Sequence, residues 1–518
     1  MKIFNVAGPC NPKKHYMIDA STRLEGVEQL IEEELYFIIH AARQSGKTTY
    51  LMDLANKLNA EGKYYVLYCS LESLQEFKEM EKGIPEIVKL LKRVLMFNNI
   101  PNAKNFAEDV DYTHISGVLN ASLTFFCMKL DKPLVILFDE ADCLSAETLI
   151  TFLRQLREGY VSRINIPFVH SIALVGMRNI RDFKAKVRDD RETLGSASPF
   201  NVITKTMTLK NFTKQEITSL YQQHTDETGQ IFESEAIDYI FEQTCGQPWL
   251  VNAIAREIIV EMLKSDYSQS ITAEMVKTAI QTIILRRDTH IDSLLERLKE
   301  ERVRKVIEPM IIGELFTDRL LDDYQYVTDL GLIKDINGKI EPSNPIYAEV
   351  IIRTLSYDAQ KNIISEKPDY TVPRYLKDSK IDINHLLTDF QQFWRENSTI
   401  WTDKIQYKEA APHLILQAFL QRILNGGGYI RREMAAGTGR LDLGVVYENK
   451  IYPIEVKLWK GAKYYKEGLD QTARYIDTYG CKEGWLVIFD QGKRKSWKEK
   501  IYLKQEKIDG IVINVFGI

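Results

Sequence analysis

Cysteine is scarce in this 518-residue chain: the six residues (10, 69, 127, 143, 245, 481) lie far apart, with no Cys-x-x-Cys pair. That spacing argues against structural zinc and against a disulfide framework, and it fits a reducing, cytoplasmic setting. Long hydrophobic runs are lacking too. No apolar stretch reaches the ~20 residues that a bilayer span needs, so no membrane association is expected. The start, Met1-Lys-Ile-Phe-Asn-Val, has no charged segment followed by a long apolar one, so a secretory signal is not expected either. Internal repeats and low-complexity tracts are absent.

What is present is the composition of a globular protein, 45% hydrophobic and 27% charged. The length exceeds what one core supports and predicts roughly three or four domains. The net charge of −4 conceals an asymmetry. Residues 401–518 hold 20 Lys plus Arg against 14 Asp plus Glu, a net of +6, which leaves −10 for the rest. A basic end on an acidic body points to contact with a polyanion.

The first ~200 residues alternate apolar runs with helical patterns, the signature of a parallel sheet covered by helices. Strands are expected at 35–40, 64–69, 134–138 and 171–175. The pattern then turns helical to about residue 287, with Thr213-Lys-Gln-Glu216 as a capping box opening one helix. Short helices and a hairpin turning at Asn337-Gly338 suggest a winged helix. The expected division is a parallel-sheet core at 1–205, a helical lid at 206–290, a winged helix at 291–360, a linker at 361–395 and a final α/β domain at 396–518. Pro368 and Pro373, with little periodicity around them, mark the linker.

The first apolar strand runs into Ala41-Ala-Arg-Gln-Ser-Gly-Lys-Thr-Thr49, and a helix pattern follows. Strand, tight loop and helix N-terminus are the context in which backbone N–H groups wrap phosphates, here those of Arg43, Gln44, Ser45, Gly46, Lys47, Thr48 and Thr49. Lys47 is placed to reach the β- and γ-phosphates of ATP, and Thr48 to put its hydroxyl on Mg²⁺. The first glycine of GxxxxGK[ST] is replaced by Ala41, while the close-approach Gly46 is kept. A second apolar strand ends in Asp139 and Glu140. Asp139 suits the Mg²⁺ shell, and Glu140 suits polarisation of an attacking water. At the end of the strand 171–175, Arg178 or Asn179 is a candidate γ-phosphate sensor. Arg154, Arg157, Arg163 and Arg181 compete for the role of a completing arginine.

Ala42-Arg-Gln-Ser-Gly-Lys-Thr-Thr49, Leu137-Phe-Asp-Glu140, Gly176-Met-Arg178 and Cys245-Gly-Gln-Pro-Trp249 resemble the AAA-like ATPases related to archaeal and STAND-type NTPases. The resemblance covers residues 1–356, where Gly246-Gln-Pro248 and Asn344-Pro-Ile-Tyr347 match the layout of lid and winged helix. It implies switch-like use of ATP, is compatible with homo-oligomers, and names no substrate.

Near the C-terminus, Gly437-Thr-Gly-Arg-Leu-Asp-Leu-Gly-Val-Val446 and Tyr452-Pro-Ile-Glu-Val-Lys-Leu458 are apolar strands carrying isolated charges, joined by a turn at Glu448-Asn-Lys450. Alternation puts Glu455 and Lys457 on one face, and antiparallel pairing would bring Asp442 beside them. Two carboxylates, Asp442 and Glu455, with a lysine suit Mg²⁺ and the orientation of a water for attack on a phosphodiester. On the preceding helix pattern, 407–424, Glu409 is a candidate for a second metal, and His413 is expected to be a surface residue. The segment resembles the PD-(D/E)xK nuclease superfamily, of restriction-endonuclease-like fold: Asp442 matches its metal aspartate, Glu455-Val-Lys457 its ExK pair, and Gln471-Thr-Ala-Arg-Tyr475 its Q-x-x-x-Y element. Leu441 stands where that pattern has proline. The expected order is αβββαβ. The run Lys493-Arg-Lys-Ser-Trp-Lys-Glu-Lys500 reads as a solvated loop, with phosphate contact as the alternative.

The chain is therefore expected to be an α/β protein in which a P-loop ATPase regulates a Mg²⁺-dependent nuclease acting on nucleic acid, with DNA the first expectation. The alternatives are a switch whose last domain binds without cutting, and a DNA-translocating motor. By analogy of architecture alone, a role in defence or mobile-element biology is suggested.

Overall fold

A computed structural model describes residues 1–19, 23–144, 146–176, 202–286, 289–311, 322–336, 339–366, 372–377, 380–404, 410–424, 428–431, 443–448, 450–490, 492, 495–508 and 510–518. The chain divides into two compact units. The first comprises Met1–Leu285 with Thr328–Gly331; the second comprises Arg286–Val327 with Leu332–Ile518.

In the first unit, α1 (Val27–Glu32) leads to β1 (Tyr36–His40), and α2 (Lys47–Glu61) leads to β2 (Tyr65–Ser70). Helices α3 (Met80–Phe97) and α4 (Ile115–Cys127) precede β3 (Leu134–Asp139); α5 (Ala146–Ser162) precedes β4 (Ser171–Gly176), and β5 is Ile203–Thr208. The five strands form a sheet in the order β2-β3-β4-β1-β5, all parallel. Both faces are buried, which is why β3 and β4 read as continuous apolar runs. Alternate residues of each strand feed two cores. Ile38, Ile136, Phe138 and Leu174 face α3, α4 and α5, while Phe37, Ile39, Leu137 and Val175 face α1 and α2. The four expected strands are found within a residue or two. The fifth, β5, crosses the expected core boundary at residue 205. Its sequence, Ile-Thr-Lys-Thr-Met-Thr, has few apolar residues because it is an edge strand.

Among the described residues, four α-helices follow, α6 (Lys214–Thr228), α7 (Ser234–Thr244), α8 (Pro248–Arg256) and α9 (Ala273–Arg286), with a π-helical turn, Glu257–Met262, continuing α8. The capping box at the start of α6 is formed: Thr213 Oγ1 accepts from Glu216 N at 3.2 Å, and Glu216 Oε2 accepts from Thr213 N at 2.7 Å.

In the second unit, α10 (Thr289–Arg297), α11 (Glu301–Ile311) and α12 (Asp322–Asp329) precede the hairpin of β6 (Ile333–Ile336) and β7 (Lys339–Pro342). The expected turn residues Asn337 and Gly338 lie outside the described residues. The expected linker carries more structure than its prolines suggested. It holds the end of α13 (Pro345–Glu366), a ribbon of β8 (Leu376–Lys377) and β9 (Lys380–Ile381), and the first half of α14 (Ile383–Lys404). The reason is an unrecognised helical stripe: Ile383, Leu386, Leu387, Phe390, Phe393 and Trp394 are all buried.

The remaining elements are α15 (Ala411–Leu424), β10 (Gly428–Arg431), β11 (Leu443–Tyr447), β12 (Lys450–Leu458), α16 (Ala462–Thr478), β13 (Glu483–Phe489), α17 (Trp497–Lys500), β14 (Tyr502–Ile508) and β15 (Ile511–Gly517). They form a mixed sheet in the order β10-β11-β12-β13-β15-β14. Strands β12, β13 and β15 are mutually parallel, and the others add antiparallel. One sheet face packs on α14: Trp394 meets Phe489 with ring centroids 5.0 Å apart. Leu486, Ile488, Ile513 and Val515 on the other face meet Leu469 and Ile476 of α16. His413 is buried beside Phe489, with centroids 6.4 Å apart, contrary to its expected surface position, because α15 is enclosed along nearly its whole length. The start of the run at 493–500 lies outside the described residues. Its end is a turn of helix, α17, with a capping box between Ser496 and Glu499 rather than an irregular loop. Among the described residues no helix is long and apolar enough to cross a membrane.

Candidate functional site

The loop between β1 and α2 places the nucleotide-site residues at the carboxyl edge of the parallel sheet, where an α/β fold presents ligands. Gln44 (φ 56°) and Gly46 (φ 88°) are left-handed, so the loop curls before α2 begins at Lys47. Lys47 is only 6% exposed, and its Nζ donates to the carbonyls of Ala41 (3.0 Å) and Ala42 (3.2 Å). Burial pulls its ammonium below the ordinary lysine range, opposed by Glu140, Asp139 and Asp142. Thr48 Oγ1 donates to Asp139 Oδ2 at 2.7 Å, Tyr68 OH donates to the same oxygen at 3.0 Å, and Glu140 N donates to Asp139 Oδ1 at 2.9 Å. Thr48 is thus brought against Asp139, which is distant in sequence, with Glu140 next to it along the chain.

Glu140 follows β3 in a left-handed conformation (φ 52°). Burial pushes its carboxyl up to about 7; Asp139 and Asp142 add to the rise and Lys47 opposes it. Thr49 faces another partner: its Oγ1 accepts from Cys10 N at 3.0 Å. Arg178, Asn179 and Arg181 lie outside the described residues. Arg163 does not reach this edge. Its guanidinium donates to the carbonyls of Glu34 (2.6 Å) and His170 (3.1 Å), which precede β1 and β4 at the opposite edge.

Sequence reasoning missed several residues at this site. Arg23 is buried, donates to Ser45 O (2.8 Å) and Lys210 O (2.9 Å), and stacks over Phe212 at 4.8 Å. Burial lowers its guanidinium to about 10. Gln247, at the start of α8, accepts from Leu250 N at 2.6 Å and donates from Nε2 to Gln44 O at 3.4 Å, tying the helical segment to the loop. Gly246 makes this possible: at φ +73°, a Cβ there would sit 1.8 Å from Phe212 O. The signal for Tyr68 was a hydroxyl near the carboxyl end of an otherwise apolar strand; for Arg23 no local signal exists.

The site fits a triphosphate and a divalent cation. Ser45 Oγ, inside the loop, is buried with no hydrogen-bond partner among the described residues, and the Thr48–Asp139 pair offers two hard oxygens side by side.

A second constellation lies on β12. Glu455, 1% exposed, and Lys457, 20% exposed, share a face, with Nζ 2.7 Å from Oε1. The register pairs Leu443 of β11 with Ile454, and Glu455 and Lys457 with Leu486 and Ile488 of β13. Helix α16 comes close at Gly468, where a Cβ would be 3.3 Å from Lys457 Cγ. Gln471 stands nearly one turn further along α16, its Oε1 buried without a hydrogen-bond partner among the described residues. Asp442 and Glu409 lie outside the described residues. Among those described, no three His, Cys, Asp or Glu side chains form a metal-ligating group.

The family model for an AAA-like domain matches residues 9–351, two thirds of the chain. A domain of unknown function (DUF8371) matches residues 382–493. A comparison with curated proteins gives no match. Among solved structures, the Walker-type ATPase PABY2304 of Pyrococcus abyssi is 13% identical, with a TM-score of 0.46 over 67% of this chain and 99% of that one. The Holliday junction branch migration motor RuvB of Thermotoga maritima is 14% identical, with a TM-score of 0.33 over 64% and 92%. Cdc6p of Pyrobaculum aerophilum is 14% identical, with a TM-score of 0.35 over 65% and 94%. At such identities and scores the assignment rests on the family match. The five-stranded parallel sheet, the loop opening α2 and the Asp139–Glu140 pair agree with it, and the chain belongs to the AAA-like domain family of P-loop ATPases.

Proposed function

We propose that the chain is an ATPase whose nucleotide state governs a divalent-cation-dependent phosphodiesterase site on β12, acting on nucleic acid. At the first site, Lys47 and the loop amides hold the phosphates of ATP, and Thr48 and Asp139 hold Mg²⁺, which neutralises phosphate charge when bound. Glu140 takes the proton of the attacking water, and Arg178 or Asn179 senses the γ-phosphate.

The observation that carries the second half is the Glu455–Lys457 pair, a buried carboxylate 2.7 Å from a lysine on one strand face. Buried charges on strands are uncommon without a role. Further support comes from the element order α15, β10, β11, β12, α16, β13, which is the αβββαβ order of restriction-endonuclease-like domains. Asp442 directly precedes Leu443, whose register partner Ile454 directly precedes Glu455. In this reading Asp442 and Glu455 hold the cation, Glu409 supports a second one, and Gln471 assists from α16. Lys457 orients a water; as the water oxygen bonds to phosphorus it gives up a proton to solvent, a backbone P–O bond breaks, and the leaving oxygen takes up a proton from solvent in its place. The helices and hairpin described within residues 289–342 have the order of a winged helix, in keeping with a nucleic-acid partner.

The test is cleavage of plasmid, linear and single-stranded DNA, with an RNA control, in Mg²⁺ and in EDTA. Cutting that needs Mg²⁺ and is lost in Lys457→Ala supports the site. A chain that hydrolyses ATP, cuts none of these, and binds no Mg²⁺ in the second unit by calorimetry loses this half of the reading.

A further inference from the structure

The second unit contains a cleft of about 290 Å³ lined by Trp459, Tyr465 and Tyr502 and by Asp490, Lys495, Glu499, Lys500 and Lys504. It stands at the carboxyl ends of the parallel strands β12 and β13. Trp459 N donates to Phe489 O at 2.8 Å, which continues the ladder one residue beyond β12. Side chains alternate along a strand, so Glu455, Lys457 and Trp459 fall on one face, and Lys457 and Trp459 are separated by about 6.6 Å of strand. The cleft is therefore the direct continuation of the carboxylate–lysine pair.

Its lining is aromatic and of mixed charge, with Lys495, Lys500 and Lys504 against Asp490 and Glu499. Trp459 is 37% exposed, and Tyr465 meets it edge-on with centroids 6.3 Å apart. Lys495 Nζ lies 4.7 Å from the Trp459 ring centroid, Lys504 Nζ 4.3 Å from that of Tyr465, and Lys500 Nζ 5.5 Å from that of Trp497. The carboxylates are held by the framework and by two of the lysines. Asp490 accepts from Lys495 Nζ (2.7 Å) and Gly492 N (2.9 Å), and Glu499 accepts from Ser496 N (2.7 Å) and Oγ (2.8 Å). Glu506 engages Tyr465 OH at 2.9 Å and Lys504 at 3.1 Å.

We propose that this cleft holds one unpaired nucleotide of a single-stranded nucleic acid, with its base against Trp459 and Tyr465 and its backbone beside Lys500 and Lys504. The proposal rests on the phosphodiesterase reading of β12 and narrows it: a strand whose phosphate lies at Lys457 delivers the adjoining nucleotide to the cleft. The volume suits one planar group. A paired base inside a duplex cannot enter without being flipped out, at a cost in stacking and pairing that a single strand does not bear. Base–aromatic stacking tolerates any sequence, so the cleft requires no base-specific contact.

The experiment is fluorescence anisotropy with the full chain in EDTA, so that binding is read without cleavage. The probes are a short oligothymidylate, an oligouridylate of equal length and a blunt DNA duplex. Single strands are expected to bind more tightly than the duplex; the two single-strand arms tell DNA from RNA. Trp459→Ala is expected to weaken single-strand binding about five- to a hundredfold. Trp459→Phe, which keeps a stacking face, should remain within about threefold of wild type, with melting midpoints equal for all three proteins. Preference for the duplex, no binding of any probe, or Trp459→Ala binding like wild type overturns the cleft. Failure of the two readings is distinguishable. Lys457-dependent cutting with Trp459-independent binding removes the cleft alone. Trp459-dependent binding by a chain that never cuts in Mg²⁺ leaves the cleft and removes the catalytic reading.

Discussion

Replacing Glu140 with glutamine probes the chemistry of the first unit most sharply. The side chain keeps its size and its left-handed backbone position, but it loses the ability to accept a proton. A positioned general base contributes about 10²- to 10⁴-fold, so hydrolysis should fall by that factor while ATP is still bound. The acid–base behaviour gives a finer test. Burial, with Asp139 and Asp142 nearby, pushes the Glu140 carboxyl up to about 7, so the basic form predominates only above neutrality. About one molecule in eleven carries the carboxylate at pH 6 and about ten in eleven at pH 8, so kcat/KM should rise about tenfold between these pH values. Asp142→Asn removes one of the charges that raise Glu140, so its acid limb should move to lower pH. The stability effect has the opposite sense. A carboxyl raised in the folded state stabilises below its ordinary value of 4.5, and that contribution is lost as pH rises to about 7. Glu140→Gln should therefore melt higher than wild type at pH 8 when the two are matched at pH 4. Steady-state phosphate release across pH 6–8 reads the first claim. A Glu140→Gln protein hydrolysing at the wild-type rate, or a flat wild-type profile, would refute the reasoning.

Gly246→Ala should lower stability by more than about 2 kcal/mol in thermal melts of the first unit, because the added methyl meets Phe212 O and the backbone is left-handed; an unchanged midpoint would contradict the close approach. Lys457→Ala removes the ammonium 2.7 Å from the buried Glu455 and should destabilise the second unit by about 3 kcal/mol in urea titrations, less with Mg²⁺ present if Glu455 holds the cation. Thr213→Ala removes the capping hydroxyl of α6 and should cost about 1 kcal/mol, with ATP binding unaffected.

The parts legible in the sequence were those whose physics is local. Continuous apolar runs gave β1 to β4 because a doubly covered parallel sheet buries both sides of each strand, and the glycine and lysine of the loop announce a phosphate cradle without help from elsewhere. Alternation placed Glu455 and Lys457 on one face, where they meet at 2.7 Å. The misses have two causes. β5 is an edge strand with little to bury, and the stripe of α14 begins at Ile383 only ten residues after Pro373, close to a segment whose prolines have the composition of a linker. Arg23, Gln247 and the amide of Cys10 reach the nucleotide loop only through tertiary folding, with partners 22 to 203 residues away. No spacing rule finds such contacts.

The proposed coupling of the two sites is tested most directly by cleavage of single-stranded and plasmid DNA in Mg²⁺, with and without ATP, by wild type, Lys47→Ala and Lys457→Ala. The account predicts that Lys457→Ala cuts nothing while still hydrolysing ATP. It also predicts that Lys47→Ala cuts at a rate that no longer responds to ATP. Cutting by wild type that is indifferent to ATP, or cutting that survives Lys457→Ala, would contradict it.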